Sequence, residues 1–117
     1  MSAHDLQDLR RMRAARNQSL FREVNERVEG IAKSFDLDAG QLDFMCECAH
    51  TDCTERLQMS VTEYEAIRRI PNHFAIVDGH QVDDVETVVA QADRYLVVAK
   101  TGIGRELAEK LDPRQTA

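Results

Sequence analysis

The chain of 117 residues has no tryptophan, only two prolines and few aromatic residues, which make up 5% of its composition. It therefore offers no stripe of aromatic side chains on which nucleic-acid bases could stack. The longest apolar run, residues 95–99, is far too short to span a bilayer. Residues 1–20 contain charged side chains and no apolar run, which excludes a secretory signal, so we expect a cytoplasmic protein with no membrane partner.

The net charge of −6 is unevenly distributed. Residues 1–35 carry seven basic and five acidic side chains, a net +2, and the remainder carries eight and sixteen, a net −8. An acidic body repels nucleic acid unless a basic surface overrides it. Such a surface could contact a phosphate backbone or an acidic protein, although charge runs are usually solvated helix faces. The one basic patch consists of Arg10, Arg11, Arg13 and Arg16.

A long N-terminal helix is predicted by apolar residues spaced three and four apart, which are Phe21, Val24, Val28, Ile31 and Phe35. Asn17 and Ser19 are typical capping residues, so we expect a break there and a firm helix over residues 18–33. The predicted organisation is a loosely ordered basic helical arm at 1–17, a single domain at 18–112 and a frayed tail at 113–117.

Alternating apolar residues predict two strands, residues 42–46 and 56–61, which flank the cysteines as a β-hairpin. A capping box at Ser60 and Glu63 opens a helix at 62–69. The remaining predicted elements are a strand at 73–77, a hairpin of strands at 85–90 and 95–100 (with a helix at 83–92 as the alternative), and a helix at 105–111. The predicted fold class is α+β, an N-terminal amphipathic helix packed on a small antiparallel sheet.

The three cysteines of the chain, Cys46, Cys48 and Cys53, lie within eight residues. An odd number cannot form intramolecular disulfides without leaving one thiol over, and clustered thiols in a reducing compartment more often bind metal. Cys46 and Cys48 project to the same face of a strand, and Cys53 is far enough along for the loop to fold back. We therefore predict a Zn²⁺ site in the 18–112 domain that stabilises the hairpin. The rival interpretation is a redox pair of Cys48 and Cys53.

A tetrahedral zinc site needs a fourth ligand, and four histidines are available. His80 is the first candidate because it follows the turn signal at residues 78–79, where a turn can aim a side chain at the hairpin. His50 is the second candidate. It lies inside the loop between Cys48 and Cys53, called the cysteine loop below, so its coordination together with both neighbouring thiols would be sterically crowded. His73 reads as a surface residue at the start of a strand, and His4 as part of a mobile end.

Six segments of the chain form a further pattern: RAARN at 13–17, LFREVNER at 20–27, CECA at 46–49, DCTER at 52–56, TEYEAIR at 62–68 and DGH at 78–80. Together they resemble a family of small uncharacterised bacterial proteins of the actinobacterial type, which have a CxC-x4-C cluster and a downstream Gly-His. The resemblance covers most of the chain and implies that His80 is the fourth ligand. It implies no particular activity.

Four protein ligands would close the site and leave no position for a water, so we expect a structural zinc. The sequence has no recognisable Ser-His-Asp arrangement, and residues 101–104 are more typical of a plain turn than of a phosphate-binding loop. We therefore expect a non-catalytic intracellular module, not an enzyme, that presents its N-terminal helix to a protein partner. The alternatives are a nucleic-acid or ribosome-associated factor that uses the arginine patch, and a thiol-based redox or zinc-responsive regulator.

Overall fold

Helices and short antiparallel strands alternate along the chain in the computed structural model, which describes residues 2–35 and 40–114. The elements are α1 (Ala3–Ser34), β1 (Leu42–Met45), β2 (Arg56–Met59), α2 (Val61–Arg68), β3 (His73–Ile76), β4 (Glu86–Gln91), β5 (Leu96–Lys100) and α3 (Gly102–Lys110). This arrangement confirms the predicted α+β class. Among the described helices, none combines the length and the apolar character that a bilayer crossing requires.

Two separate sheets carry the strands. β1 and β2 form the predicted hairpin, with Phe44 opposite Leu57, and the second sheet has the order β3-β5-β4 with all neighbours antiparallel. The alternative prediction of a helix at residues 83–92 is wrong, because the valine-rich β4 pairs with β5 and forms the second predicted hairpin. The core between the hairpin and α2 is apolar, and Tyr64 stacks on Phe44 with ring centroids 4.6 Å apart.

The capping box at the start of α2 is present as predicted. The Ser60 hydroxyl accepts a hydrogen bond from the Glu63 backbone N–H at 3.1 Å, and the Glu63 carboxylate accepts one from the Ser60 N–H at 3.0 Å. These reciprocal bonds satisfy two backbone donors that the first turn of a helix leaves unpaired. They fix the start of α2 so that Tyr64 lies fully in the core.

α1 runs for 32 residues without the break that Asn17 and Ser19 predict. That expectation is wrong because neither side chain ends the helix. Asn17 donates to the Ala49 carbonyl oxygen at 3.1 Å, and Ser19 is buried. Residues like these interrupt a helix only when their side chains compete for the local backbone. The predicted boundary between the arm and the domain therefore falls inside one helix, and residues 115–117 of the predicted tail lie outside the described residues.

The face that α1 buries is polar, which reverses the expectation from its apolar stripe. Phe35 is 70% exposed, Ile31 59% and Val24 41%, whereas Phe21 and Val28 are only half-buried. The helix instead buries a row of polar and charged side chains spaced three and four residues apart: Gln18, Arg22, Asn25 and Glu29.

This reversal is explained by backbone groups of the strands that have no hydrogen-bond partner in a neighbouring strand. The Asn25 amide accepts from the Met45 N–H at 2.7 Å and donates to the Met45 carbonyl at 2.9 Å. Arg22 donates to the carbonyl of Pro71 at 2.6 Å and also to that of His73. A buried backbone group without a partner costs about 1–3 kcal/mol. Polar side chains on α1 supply those partners, which apolar ones could not.

Ion pairs fasten the end of the described chain to the helices. Arg114 donates to Glu29 at 2.8 Å on α1 and to Glu65 at 2.7 Å on α2, and buried Arg68 pairs with Asp112. Burial and a hydrogen bond with Glu65 raise the pKa of Glu29 to about 7. The hydrogen bond from Arg114 lowers the pKa of Glu65 to about 2. The two neighbouring carboxyl groups thus differ in charge below neutral pH, which limits their mutual repulsion.

We predict that Asn25→Ala lowers the free energy of unfolding by about 2–4 kcal/mol, because it leaves both backbone groups of Met45 without a partner. Urea denaturation followed by circular dichroism measures this change. Glu23→Ala, on the exposed side of the same helix, is the matched control and should change the value by less than about 0.5 kcal/mol. Equal effects of the two substitutions would contradict the role given to the polar face.

Candidate metal centre

Cys46 and Cys48 lie on an extended stretch that continues β1. The Cys46 N–H donates to the Glu55 carbonyl at 3.0 Å, and the Glu47 N–H donates to the Ala75 carbonyl at 2.7 Å. The stretch is thus held between the β1–β2 hairpin and β3. Because side chains alternate along extended backbone, the two thiols share one face and Glu47 takes the other, as the sequence predicts.

Two turns bring Cys53 and His80 to that face. The Cys53 N–H donates to the His50 carbonyl at 3.1 Å, which folds the cysteine loop back on itself. The His80 N–H donates to the Val77 carbonyl at 3.0 Å and closes a four-residue turn. Gly79 has a φ of +99° in this turn, a left-handed conformation that side-chain-bearing residues rarely adopt. The turn after β3 therefore aims the imidazole at the thiols.

The ligand atoms of Cys46, Cys48, Cys53 and His80 all lie within 4.8 Å of one another. The Nδ1 atom of His80 is 3.6 Å from the Sγ atoms of both Cys46 and Cys53. A tetrahedral zinc with Zn–S bonds of about 2.3 Å and Zn–N bonds of about 2.0–2.1 Å requires an S···N separation of about 3.6 Å. The four predicted residues therefore come together and could bind a metal ion.

His50 and His73 lie outside this group. His50 is exposed, and its ring stands perpendicular to that of His80 with centroids 5.9 Å apart. His73 is half-buried in β3, where burial and the nearby Arg22 lower its pKa. The side chain of His4 lies outside the described part of the chain. His80 is thus the histidine that completes the set.

Electrostatics within the cluster favour a cation. The hydrogen bond from the Cys46 thiol lowers the pKa of Cys48 to about 5, and the same bond raises the pKa of Cys46. Burial raises the pKa of Cys53. Three thiolates this close repel one another, and a divalent cation offsets that repulsion, so metal binding releases protons. The Val77 N–H donates to the Cys46 sulfur at 3.2 Å, a contact that would stabilise the Cys46 thiolate once a metal ion displaces its proton.

Glu47, between the two cysteines, is the residue whose role the sequence did not reveal. Its fully buried carboxylate accepts hydrogen bonds from the Tyr64 hydroxyl at 2.8 Å, the Asn25 amide at 3.0 Å and the Ala75 N–H at 3.0 Å. It faces away from the thiols, and its hydrogen bonds connect residues 46–48 to α1, α2 and β3. The alternation that puts both thiols on one face was the available signal, since it points Glu47 into the core.

The predicted arginine patch lies along the N-terminal half of α1. Arg10, Arg13 and Arg16 are exposed, and the half-buried Arg11 pairs with Asp8 at 3.5 Å. Three of the four arginines border a groove beside the cysteine loop. The role of the patch in binding stays a prediction.

Comparisons of the chain with protein-family profiles, with curated proteins and with solved structures give no match. The function is therefore argued from the metal centre and the surfaces around it.

We predict that His80→Ala abolishes tetrahedral metal binding or weakens it at least tenfold, whereas His50→Ala leaves it nearly unchanged. The reason is that, among the histidine side chains that the structure describes, His80 alone places a ring nitrogen close enough to the three thiols to share a cation with them. Titration with Co²⁺ measures this, because its visible absorption reports both thiolate ligation and tetrahedral geometry. Equal losses in the two variants would contradict the assigned ligand set.

Proposed function

We propose that the chain is a non-catalytic intracellular zinc-binding module that uses α1 to engage a protein partner. The ligand set carries the metal part of this proposal, because three thiolates and one imidazole suit Zn²⁺ better than the hard cations Mg²⁺ or Ca²⁺. Thiols that remain reduced for metal binding are typical of intracellular proteins.

A structural rather than catalytic zinc is supported by the closed donor set. Four protein ligands fill a tetrahedron and leave no position for a water to be activated. Cys46 and Cys48 are buried, and Glu47, the carboxylate between them, is committed to hydrogen bonds on the opposite side of the strand. No general base therefore accompanies the metal from that position.

The proposed zinc joins segments that are distant in the sequence. Residues 46–48, the cysteine loop and the turn after β3 all contribute ligands, and Cys46 and Cys48 pack in a core cluster with Phe74 and Ile76. A metal bound in this way stabilises the folded state by the free energy of its binding.

We predict one zinc per chain in native mass spectrometry of freshly purified protein, and a large fall in thermal stability when a chelator removes it. Cys53→Ser should lose the metal and unfold, while His50→Ala, the matched control near the same loop, should retain both metal and fold. A chain that loses its zinc and keeps the same unfolding transition would refute the structural role. A mass lower by two hydrogens, without metal, would favour the redox alternative.

The partner-binding part of the proposal rests on the α1 apolar face, which we define as Leu6, Leu9, Leu20, Val24, Ile31 and Phe35. Each of these side chains is 38–70% exposed. At 100° per residue they fall within an arc of about 80°, opposite the buried polar face. Apolar residues repeated along a helix in this way are typical of a surface that packs against another helix.

Charge selects the kind of partner. Arg13 and Arg27 are the charged residues within the arc of the α1 apolar face, and both are exposed. A second copy of the helix would bring like charges together in either orientation, whereas a helix with acidic residues beside its apolar stripe would complement them. We therefore propose an acidic amphipathic helix of another protein as the partner.

We predict that a photo-crosslinker at Val24 captures a protein in cells, and that the double substitution Leu20→Lys and Ile31→Lys abolishes the capture without changing zinc content. Leu20 and Ile31 are both more than half exposed, so the fold should be retained in this variant. The same crosslinker at exposed Glu106 on α3 is the control. Identical products from both positions, or a concentration-dependent homodimer in sedimentation, would contradict this partner.

A further inference from the structure

A groove of about 310 Å³ opens beside the metal centre, between the N-terminal half of α1, the cysteine loop and the segment that precedes β4. Gln7, Arg10, Ala14 and Asn17 recur along the face of α1 that borders it. The volume is at the lower end of the range for small-molecule sites. It is thus suited to a compact ligand.

Three arginines of the N-terminal patch line this groove: Arg10, Arg11 and Arg13. Arg11 pairs with Asp8, whereas Arg10 and Arg13 have no carboxylate within ion-pair distance in the described part of the chain. Asp84 is the only acidic side chain among the lining residues, and Asp8 offsets Arg11, so the groove keeps an excess of one positive charge. In a protein of net charge −6, this local excess is a basic pocket on an acidic body.

The walls between these charges are apolar. Ala14 of α1, Ala49 of the cysteine loop, and Val82 and Val85 before β4 line the groove together with the exposed ring of His50. Arginine stems also present methylene groups to such a surface while their guanidinium groups remain available. A ligand that fits both features has an anionic group and a small apolar body.

The groove is also held in place by the fold. Asn17 and Ala49 both line the groove, and Asn17 donates to the Ala49 carbonyl oxygen at 3.1 Å, which fastens the cysteine loop to α1. Val85 is buried, and its carbonyl oxygen accepts from the Thr101 N–H at 3.1 Å. Two of the three walls are thus anchored before any ligand binds, which lowers the entropic cost of binding.

We propose that this groove binds a small organic anion, in which a phosphate or carboxylate group contacts Arg10 and Arg13 and an apolar body lies against Ala49, Val82 and Val85. Guanidinium groups match the planar or tetrahedral oxygens of both anions through paired N–H donors. The site contains none of the proposed metal ligands, so the proposal does not depend on the proposed zinc; it shares Arg13 with the α1 apolar face.

The experiment is an ¹H–¹⁵N NMR titration of the full, metal-loaded chain with phenyl phosphate, benzoate and inorganic phosphate. Phenyl phosphate and benzoate share a ring and differ in the anion, so their relative affinities distinguish phosphate from carboxylate. Saturable shifts of the amides of Ala14, Ala49, His50 and Val85 with either ring compound, tighter than with inorganic phosphate, are expected. Absence of saturable shifts with all three probes would overturn the proposal.

Matched variants test the arginines. Arg10→Ala combined with Arg13→Ala should weaken binding at least tenfold, since charge-assisted hydrogen bonds are lost. Arg16→Ala, on the same helix but outside the groove, should leave the affinity unchanged. Asp84→Asn should tighten binding several-fold because it removes the one opposing charge, an effect that a merely structural role would not produce.

Two results would overturn the small-anion site. One is equal affinity in the double arginine variant, or shifts that map to the α1 apolar face instead of the groove. The other is binding of a short single-stranded RNA that depends as strongly on Arg16 as on Arg10, which would indicate an extended nucleic-acid surface.

Discussion

Hydrogen bonds from the polar face of α1 to the backbone of residues 45–49 and 71–73 hold the two sheets of this protein in place. β1 and β3 belong to different sheets, and between them the backbone bond from Glu47 to Ala75 provides one direct link. Asn25, Arg22 and Gln18 therefore supply the partners that a continuous sheet would have provided. The position of residues 46–48, which carry two of the cysteines, depends on these hydrogen bonds.

Glu47 connects this polar interior to the metal centre. Its side chain is held by Asn25 and Tyr64 on one face of the strand, while its two neighbours present their thiols on the other. Glu47 thus links the segment that carries Cys46 and Cys48 to α1 by a direct side-chain hydrogen bond.

Because the polar face of α1 is turned inward, its apolar face is left at the surface. If α1 instead turned Leu20, Ile31 and Phe35 inward, the backbone groups of residues 45–49 would lose the partners that α1 supplies, at a cost of about 1–3 kcal/mol for each buried group. Exposed apolar residues aligned over a helix of about 48 Å are a surface suited to association. The internal hydrogen bonds and the proposed partner-binding surface thus lie on opposite sides of the same helix.

The local pattern of the sequence determined most of the elements. Alternation predicted both hairpins, the residues at Ser60 and Glu63 predicted the cap of α2, and the spacing of the cysteines with the turn before His80 predicted the four residues that come together. These features depend on neighbours in the sequence, so propensity and periodicity are sufficient to identify them.

Only the tertiary structure decided which face of α1 is buried. The sequence could not identify Gln18, Arg22 and Asn25 as the buried face, because a helix does not show in its own sequence which distant backbone groups lack partners. The same limit applies to Asn17, which ends no helix because it donates to Ala49, and to the arginines, which share one groove only after the cysteine loop folds against α1. The sequence by itself determined most of the elements and the four residues that come together, and long-range hydrogen bonding determined how the elements face one another.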